Sequence, residues 1–191
     1  TMCLVDRSSP GMKVVEGGLP TWLDQTPSQF IVNFDDCRVG DDCVLGEVGQ
    51  GFVMGQKWLT IMDRLLRGPF CLGKMQRGLD MSIDWAKQRV TFGKPIAERQ
   101  AIQWKIADMA TRLEAARLLT YRAAWAKDQG GRYSEEAAMA KLYASEASHF
   151  ITNEAVQIFG GNGYSKEYPV ERHFRDAKIT EIYEGTSEAQ R

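Results

Sequence analysis

The spacing of apolar residues changes near residue 51 of this 191-residue chain. Before that point, short runs rich in β-branched and aromatic residues alternate with Pro, Gly and Asp, a pattern typical of antiparallel strands joined by turns. The four runs are MCLVD, MKVVEG, FIVNFDD and VLGE. We expect residues 1–51 to be the end of an incomplete β-domain, because so few short strands cannot form a stable sheet with both faces covered.

Residues 52–191 carry the longer spacing of three to four positions that is typical of packed α-helices. One predicted helical face consists of Ile102, Ile106, Met109, Leu113 and Ala116. A second consists of Ala138, Leu142, Ser145, His149, Thr152, Val156 and Phe159. The stretch from Phe52 to Arg89 is also helical in pattern, but Gly68-Pro69 should kink or interrupt it, since proline removes a backbone donor.

Glycines mark the predicted helix ends. Gly130-Gly131 and the run from Gly160 to Gly163 follow the two long faces, and glycine is the residue that most often closes a helix C-terminus. With a shorter helix near Val170–Lys178, these segments predict a mainly α fold with most of a four-helix bundle. Residues 186–190 have the sequence of an N-cap and capping box, so we expect the bundle domain, residues 52–191, to be truncated at its last helix.

Composition limits the classes of function. A formal net charge of -1, without a basic block, gives no electrostatic footprint for nucleic acid. No apolar run reaches the roughly 20 residues that a membrane helix needs, so we expect a soluble protein without a membrane span. The four cysteines form no Cys-x-x-Cys pair and only two histidines accompany them, which predicts reduced thiols in an intracellular protein and no zinc site.

Four short motifs each have two interpretations when only their own residues are considered. Glu146-x-x-His149 has the spacing of di-iron bundles, but the second copy that such a site needs is absent, so no metal is expected. The glycines from Gly160 follow a helix, which favours a helix cap over a nucleotide-binding turn. The motif RVTFG, residues 89–93, could bind a phosphate or cap a helix. Glu184 could be a functional carboxylate or a first-turn acid favourable to the helix dipole.

Longer stretches resemble one protein family. Three of them are similar, in the same order, to the carboxyl-terminal half of the flavin-dependent acyl-CoA dehydrogenases: RVTFGKPIAERQAIQWKIADM, AVQIFGGNGYSKEYPVERHFRDAKI and IYEGTSEAQR. A fourth, FDDCRVGDDCVLGEVGQGF, resembles the end of that family's central β-domain. The resemblance implies the family's C-terminal four-helix bundle after part of an antiparallel β-domain, and a fragment without the family's amino-terminal helical domain.

The resemblance also implies an activity. Members of the family remove a proton from the carbon next to an acyl-CoA thioester and pass a hydride from the following carbon to N5 of FAD, which leaves a trans-2-enoyl-CoA. Glu184 matches the family's catalytic base, and Asp63 stands where a minority branch places that base. The positions that match substrate-contacting ones are Ile61, Met62, Asp63, Arg64 and Gly185.

Two further sets of residues match positions that bind FAD. Near the flavin the matching residues are Thr186, Ser187 and Glu188. A second set matches positions that hold the adenosine diphosphate end of FAD from the neighbouring subunit: Arg89, Val90, Thr91, Phe92, Gln100, Gln157, Ile158, Phe159, Gly160 and Gly161. Because the cofactor is shared between subunits, the resemblance implies a homodimer or homotetramer.

Three functions follow as alternatives. The first is an acyl-CoA dehydrogenase of fatty acid metabolism that passes electrons to an electron-transfer flavoprotein, in the cytoplasm of a bacterium or the mitochondrial matrix of a eukaryote. The second is an acyl-CoA oxidase that uses oxygen. The third is a catalytically silent helical module that oligomerises. The resemblance places bulky Trp58, Leu59 and Met62 near the substrate cavity, which favours a short or branched acyl group, although aromatic residues at helical spacing are also common in a bundle core.

Overall fold

The computed structural model describes residues 1–18, 21–22, 29–59 and 64–191. These residues belong to two compact units, Thr1–Leu59 and Thr60–Arg191. The predicted fold class, mainly α with short antiparallel strands, is confirmed. The predicted domain boundary between residues 51 and 52 stays a prediction.

The first unit contains short strands within each of the four predicted β-type runs. They form two antiparallel pairs: β1, Met2–Cys3, with β4, Val44–Leu45, and β2, Met12–Val14, with β3, Val32–Phe34. A short helix, α1, covers Gly51–Trp58, and Gly51 packs closely against the backbone of Thr1. The strands leave apolar side chains exposed, including Val32 and Phe34.

The second unit is a bundle of helices. They are α2, Leu65–Gln88; α3, Gln100–Asp128; α4, Ser134–Phe159; α5, Val170–Lys178; and α6, Ser187–Gln190. Short 3-10 turns cover Ile96–Glu98, Gly160–Tyr164 and Ile179–Glu181. A two-stranded hairpin, β5, Val90–Thr91, with β6, Lys94–Pro95, lies between α2 and α3. The long helices, the shorter helix near residue 170 and the glycines after α3 and α4 are as predicted.

The core of the bundle lies where α2, α3 and α4 meet. Met75 of α2, Met109 of α3 and Ile151 of α4 are fully buried there. The predicted face of α3 is confirmed, since each of its residues is buried or packs against the core: Ile102, Ile106, Met109, Leu113 and Ala116.

Helix α4 buries more of its circumference than its spacing predicted. Of the predicted face, Ser145, Thr152 and Phe159 are buried, whereas Ala138, Leu142, His149 and Val156 are half-buried. Further buried residues lie beside that face: Ala140, Ala144, Ala147, Ile151 and Ala155. The physical reason is that α4 packs against α2, α3 and α5 at once, so no single stripe defines its interior.

Gly68 and Pro69 do not interrupt α2, which is continuous from Leu65 to Gln88, so the predicted interruption is wrong, and the alternative, a kink, stays a prediction. Pro69 lies in the first turns of the helix, where its missing N–H removes a single bond to the first carbonyl. Gly68 is buried against α3, and a Cβ at this position would lie 2.6 Å from Thr120 Oγ1. Glycine here therefore permits the close approach of α2 and α3.

Three findings concern membrane spans, cysteines and possible metal ligands. In the described part of the chain, no helix combines the length and apolar character needed to cross a membrane. All four cysteines are free, and burial raises the pKa of the Cys71 thiol, which keeps it protonated near neutral pH. Among the described residues, no three His, Cys, Asp or Glu side chains lie close enough to hold a metal ion.

Candidate functional site

A cavity of about 460 Å³ opens beside the C-terminus of α4. Its lining contains six of the residues predicted to hold the adenosine diphosphate end of FAD: Arg89, Thr91, Ile158, Phe159, Gly160 and Gly161. Four residues that were not predicted to bind FAD complete the lining: Trp85, Ile96, Ile102 and Asn162. The other predicted residues are described and lie outside this lining: Val90, Phe92, Gln100 and Gln157.

Two backbone turns shape the cavity. After α4 ends at Phe159, Gly160 adopts φ 62° and ψ -139°, a conformation that glycine adopts with little strain. In the hairpin between α2 and α3, Phe92 and Gly93 both have positive φ, as a two-residue type I′ turn requires. Arg99 donates a hydrogen bond to the carbonyl oxygen of Thr91 at 2.9 Å. The RVTFG motif therefore lies in a hairpin, and its Arg89 and Thr91 line the cavity at the end of α4.

Aromatic rings form part of the cavity wall. Trp85 and Phe159 stack with ring centroids 4.6 Å apart and planes 11° from parallel, and Tyr168 meets both rings edge-on. The indole Nε1 of Trp85 is buried without a hydrogen-bond partner among the described residues. Such an orphaned donor is rare in folded proteins. An aromatic wall, an exposed glycine backbone and the Arg89 guanidinium together fit a ligand with a flat ring and phosphate groups.

A second cavity, of about 500 Å³, contains all three residues predicted to contact the flavin. Its lining consists of Glu146, Lys178, Glu181, Ile182, Thr186, Ser187 and Glu188. Thr186 caps α6 by accepting a hydrogen bond from the backbone N–H of Ala189 at 3.3 Å, which confirms the predicted N-cap. The predicted capping box is wrong, because the Gln190 amide donates instead to the carbonyl oxygens of Glu184 and Gly185.

The hydroxyl of Ser187 is the second orphaned polar group near a predicted cofactor position. Ser187 is buried, and its Oγ has no hydrogen-bond partner in the described part of the chain. Because a buried hydroxyl is normally paired, an external acceptor or donor fits this position.

Glu181 forms an ionic cluster on the wall of the second cavity. Its carboxylate accepts a hydrogen bond from Lys178 at 2.5 Å and lies 2.8 Å from Nδ1 of His149. Burial alone would raise the pKa of Glu181, but these two partners outweigh it and lower the pKa below its ordinary value. Glu146, the other half of the motif that resembles a di-iron site, pairs with Arg191 instead.

Glu184 lies in a left-handed turn just before α6. Its φ is 57°, which is uncommon for a residue with a side chain, and Gly185 follows at φ 96°. Its side chain is only 14% exposed, and Arg67 of α2 donates to both carboxylate oxygens, with Nη2 2.5 Å from Oε1. Burial alone would lower the pKa of Arg67, but Glu184 and Tyr183 outweigh this effect and raise it. Arg67 and Glu184 therefore form a salt bridge that is largely shielded from solvent.

Buried Lys141 of α4 holds the backbone of the same turn. Its ammonium group donates to the carbonyl oxygen of Gly185 at 2.7 Å, and the Gln190 amide donates to that oxygen as well. Burial lowers the pKa of Lys141 below its ordinary value of 10.5. Side chains from α2, α4 and α6 thus converge on two consecutive residues, Glu184 and Gly185.

The residues predicted to contact substrate are described only in part. Ile61, Met62 and Asp63 lie outside the described residues. Arg64 lies beside the Glu184 turn, since a Cβ on Gly185 would be 3.9 Å from Arg64 Nη2. The Nε atom of Arg64 is buried and lacks a hydrogen-bond partner among the residues that the structure describes.

Sequence reasoning missed Arg67 and Lys141. Arg67 lies 117 positions before Glu184, and Lys141 lies 44 positions before Gly185. No local motif connects residues at such separations. The only sequence signal for Arg67 is its position one helical turn after Arg64, which places both side chains on one face of α2.

Comparisons with known proteins identify the family. Residues 49–191 match the family model described as acyl-CoA dehydrogenase, C-terminal domain. The chain is 52% identical over 158 residues to the human short-chain specific acyl-CoA dehydrogenase, mitochondrial, an alignment that covers 83% of this chain and 38% of that protein. A structure of butyryl-CoA dehydrogenase from Megasphaera elsdenii has a TM-score of 0.90 and 41% identity, over 98% of this chain and 49% of that one.

A structure of PigA with FAD and proline has a TM-score of 0.92 and 30% identity, again over 98% of this chain and 49% of the other. The chain therefore spans less than half the length of these relatives. The match to the family model covers well over half of the present sequence, so the chain belongs to the acyl-CoA dehydrogenase family.

Proposed function

We propose that the protein is a flavin-dependent acyl-CoA dehydrogenase that converts a short-chain acyl-CoA to the trans-2-enoyl-CoA. The observation that supports this most directly is the cavity beside α4, which is lined by Arg89 and Thr91 from one segment and by residues 158–161 from another. The names of the human and Megasphaera relatives favour a short acyl chain.

The residues present fit FAD. Arg89 offers a guanidinium for phosphate oxygens, and the stacked rings of Trp85 and Phe159 offer a flat apolar surface. The unpaired Oγ of Ser187 offers a hydrogen bond in the second cavity, beside Thr186 and Glu188. When bound, FAD would supply the acceptor for the hydride that leaves the β-carbon.

Glu184 is the proposed base that takes the α-proton of the acyl group. Its carboxylate forms a salt bridge with Arg67 and is only 14% exposed, which shields it from water, as abstraction of a carbon-bound proton requires. Its backbone is fixed, because the carbonyl oxygens of Glu184 and Gly185 both accept hydrogen bonds from buried side chains. Asp63 is the second candidate for the base.

The acyl-CoA is proposed to contact Arg64 and Gly185, which flank the Glu184 turn. Ile61, Met62 and Asp63 belong to the same proposed surface by their place in the sequence. A guanidinium with an unpaired Nε suits a polar or anionic part of the ligand.

A homodimer or homotetramer is the proposed assembly. Helix α3 buries one face in the bundle, yet four large apolar residues on its other faces are more than 60% exposed: Trp104, Leu118, Tyr121 and Trp125. Leu118, Tyr121 and Trp125 are spaced by three and four positions and so share one face of α3, and exposed apolar surface of this kind is typical of a protein interface. The proposed electron acceptor is an electron-transfer flavoprotein, and the proposed compartment is the bacterial cytoplasm or the mitochondrial matrix.

The visible absorption spectrum of the full-length protein tests the proposal. We expect a flavin band that bleaches on anaerobic addition of butyryl-CoA. Glu184→Gln should keep the flavin and bind butyryl-CoA but should not bleach. Glu135→Gln, a change at an exposed residue in the first turn of α4, is the matched control and should bleach like the wild type.

Three other outcomes would contradict parts of the proposal. A protein that takes up no flavin, even after incubation with FAD, would leave the bundle as a structural module. Bleaching by Glu184→Gln at the wild-type rate would transfer the role of base to Asp63. Stoichiometric hydrogen peroxide during turnover in air would replace the dehydrogenase by an oxidase.

A further inference from the structure

We propose, on the basis of the function proposed above, that Arg67 is a positioning residue that orients the Glu184 carboxylate for removal of the α-proton. Arg67 donates from two nitrogens, Nε and Nη2, to the two oxygens of one carboxylate. This parallel arrangement fixes both the direction and the rotation of the carboxylate plane, which a point charge such as lysine cannot do.

The guanidinium of Arg67 is itself held in place. It lies 4.5 Å from the ring centroid of Tyr183 and 5.8 Å from that of Phe70. Its Nη1 donates to the Tyr183 hydroxyl at 3.3 Å. With its side chain only 22% exposed, Arg67 is a fixed support for Glu184.

The backbone of Glu184 is positioned independently of Arg67. Lys141 and Gln190 donate to the carbonyl oxygens of the turn, and Thr186 begins α6 immediately afterwards. Removal of the Arg67 side chain would therefore leave the turn in place and free mainly the rotations of the Glu184 side chain. We therefore expect loss of the Arg67 side chain to slow the reaction without unfolding the turn.

The ion pair is compatible with the role of Glu184 as a base. A carboxylate has about four acceptor positions, and the guanidinium uses one on each oxygen. A free position remains on each oxygen for the substrate proton. The pair fixes the orientation of the carboxylate, and we infer that the reaction depends on this orientation, because misplacement of a reacting group by about 1 Å can lower a rate about 100-fold.

Single-turnover bleaching of the flavin by butyryl-CoA, in the full-length protein, tests this role. We expect Arg67→Met to lower the limiting rate about 10- to 100-fold, with less than about a threefold change in the butyryl-CoA concentration at half-saturation. Arg67→Lys, which restores the charge without the two parallel bonds, should recover only part of the rate. Arg77→Met is the matched control, since Arg77 is an exposed arginine of the same helix, and should bleach at the wild-type rate.

The outcomes separate this inference from the proposed function. One outcome overturns the inference alone: the wild type bleaches, Glu184→Gln does not bleach, and Arg67→Met bleaches at least as fast as the wild type. In that case Glu184 is the base, but Arg67 is not a positioning residue. If Glu184→Gln bleaches normally, the proposed base itself is wrong. If Arg67→Met does not fold, Arg67→Lys decides: a wild-type rate overturns the inference, and a reduced rate at an unchanged melting temperature supports it.

Discussion

Three glycines at the C-terminus of α4 should respond differently to the same substitution. Gly160 has φ 62°, and a Cβ added there would meet no heavy atom of the described residues within 4 Å, so alanine costs only backbone strain, about 1–3 kcal/mol. Gly161 has neither a positive φ nor a close neighbour in the described structure, so alanine should change the free energy of unfolding by less than about 0.5 kcal/mol.

Gly163 is buried, and close packing requires glycine at this position. A Cβ there would lie 2.6 Å from the carbonyl oxygen of Val156 and 2.9 Å from Cβ of Phe159. The carbonyl oxygen belongs to the backbone of α4 and cannot rotate away, so we expect alanine to destabilise the protein by about 1–3 kcal/mol through overpacking.

Urea unfolding of the three alanine variants at one temperature measures these differences. We expect Gly160→Ala and Gly163→Ala to unfold at lower urea concentration, and Gly161→Ala to unfold with the wild type. Because Gly161 lines the cavity proposed for FAD, its alanine variant should nevertheless bind FAD more weakly. Equal loss of stability in Gly160→Ala and Gly161→Ala would refute the strain argument, and unchanged FAD affinity in Gly161→Ala would count against this cavity as the cofactor site.

Further predictions concern packing and pH. Gly68→Ala should lower the free energy of unfolding by about 1–3 kcal/mol, because the added Cβ would contact Thr120. Gly73→Ala on the same helix should raise it by about 0.5–1 kcal/mol, because the added Cβ has no described neighbour within 4 Å. Thermal melts of the two variants compare these effects. Because the pKa of Glu181 is lowered in the folded protein, its ionised carboxylate stabilises the fold above pH 4.5, and this stabilisation is lost as the pH falls through the lowered pKa. The difference in free energy of unfolding between wild type and Glu181→Gln, measured by urea unfolding, should therefore disappear in acid. Because burial lowers the pKa of Lys141, the folded protein binds fewer protons than the unfolded chain at pH values between the lowered pKa and 10.5. The free energy of unfolding should therefore rise with pH in this range, and Lys141→Met should abolish the rise, as measured by urea unfolding.

Local sequence patterns predicted most of the fold. The apolar face of α3, the glycines after α3 and α4 and the Thr186 N-cap all depend on residues within a few positions of one another, and all are found. The width of the buried surface on α4 was underestimated because it depends on how many helices pack around α4. The type I′ hairpin of residues 90–95 was missed because Phe92 occupies a positive-φ position that usually favours Asn, Asp or Gly.

The candidate site was predictable only where the family resemblance covered it. The resemblance named both Arg89 and Gly160, and the structure brings these residues of two separate segments to one cavity. It did not indicate Arg67 or Lys141, whose partners lie far along the chain. Pairing across such separations is a property of the packed helices, and the periodicity of one segment contains no information about it.

The buried ammonium group of Lys141 links the order of folding to the presence of the Glu184 turn. The backbone hydrogen bonds of α4 join residues close in sequence, so the helix itself can form early. Burial of the Lys141 ammonium group in the core, in contrast, is favourable only once the carbonyl oxygen of Gly185 is in place to accept its hydrogen bond. During synthesis, the segment that carries this acceptor emerges from the ribosome 44 residues after the lysine. We therefore expect a nascent chain that stops short of Gly185 to pack α4 less tightly around Lys141, because the buried ammonium group then lacks its carbonyl acceptor.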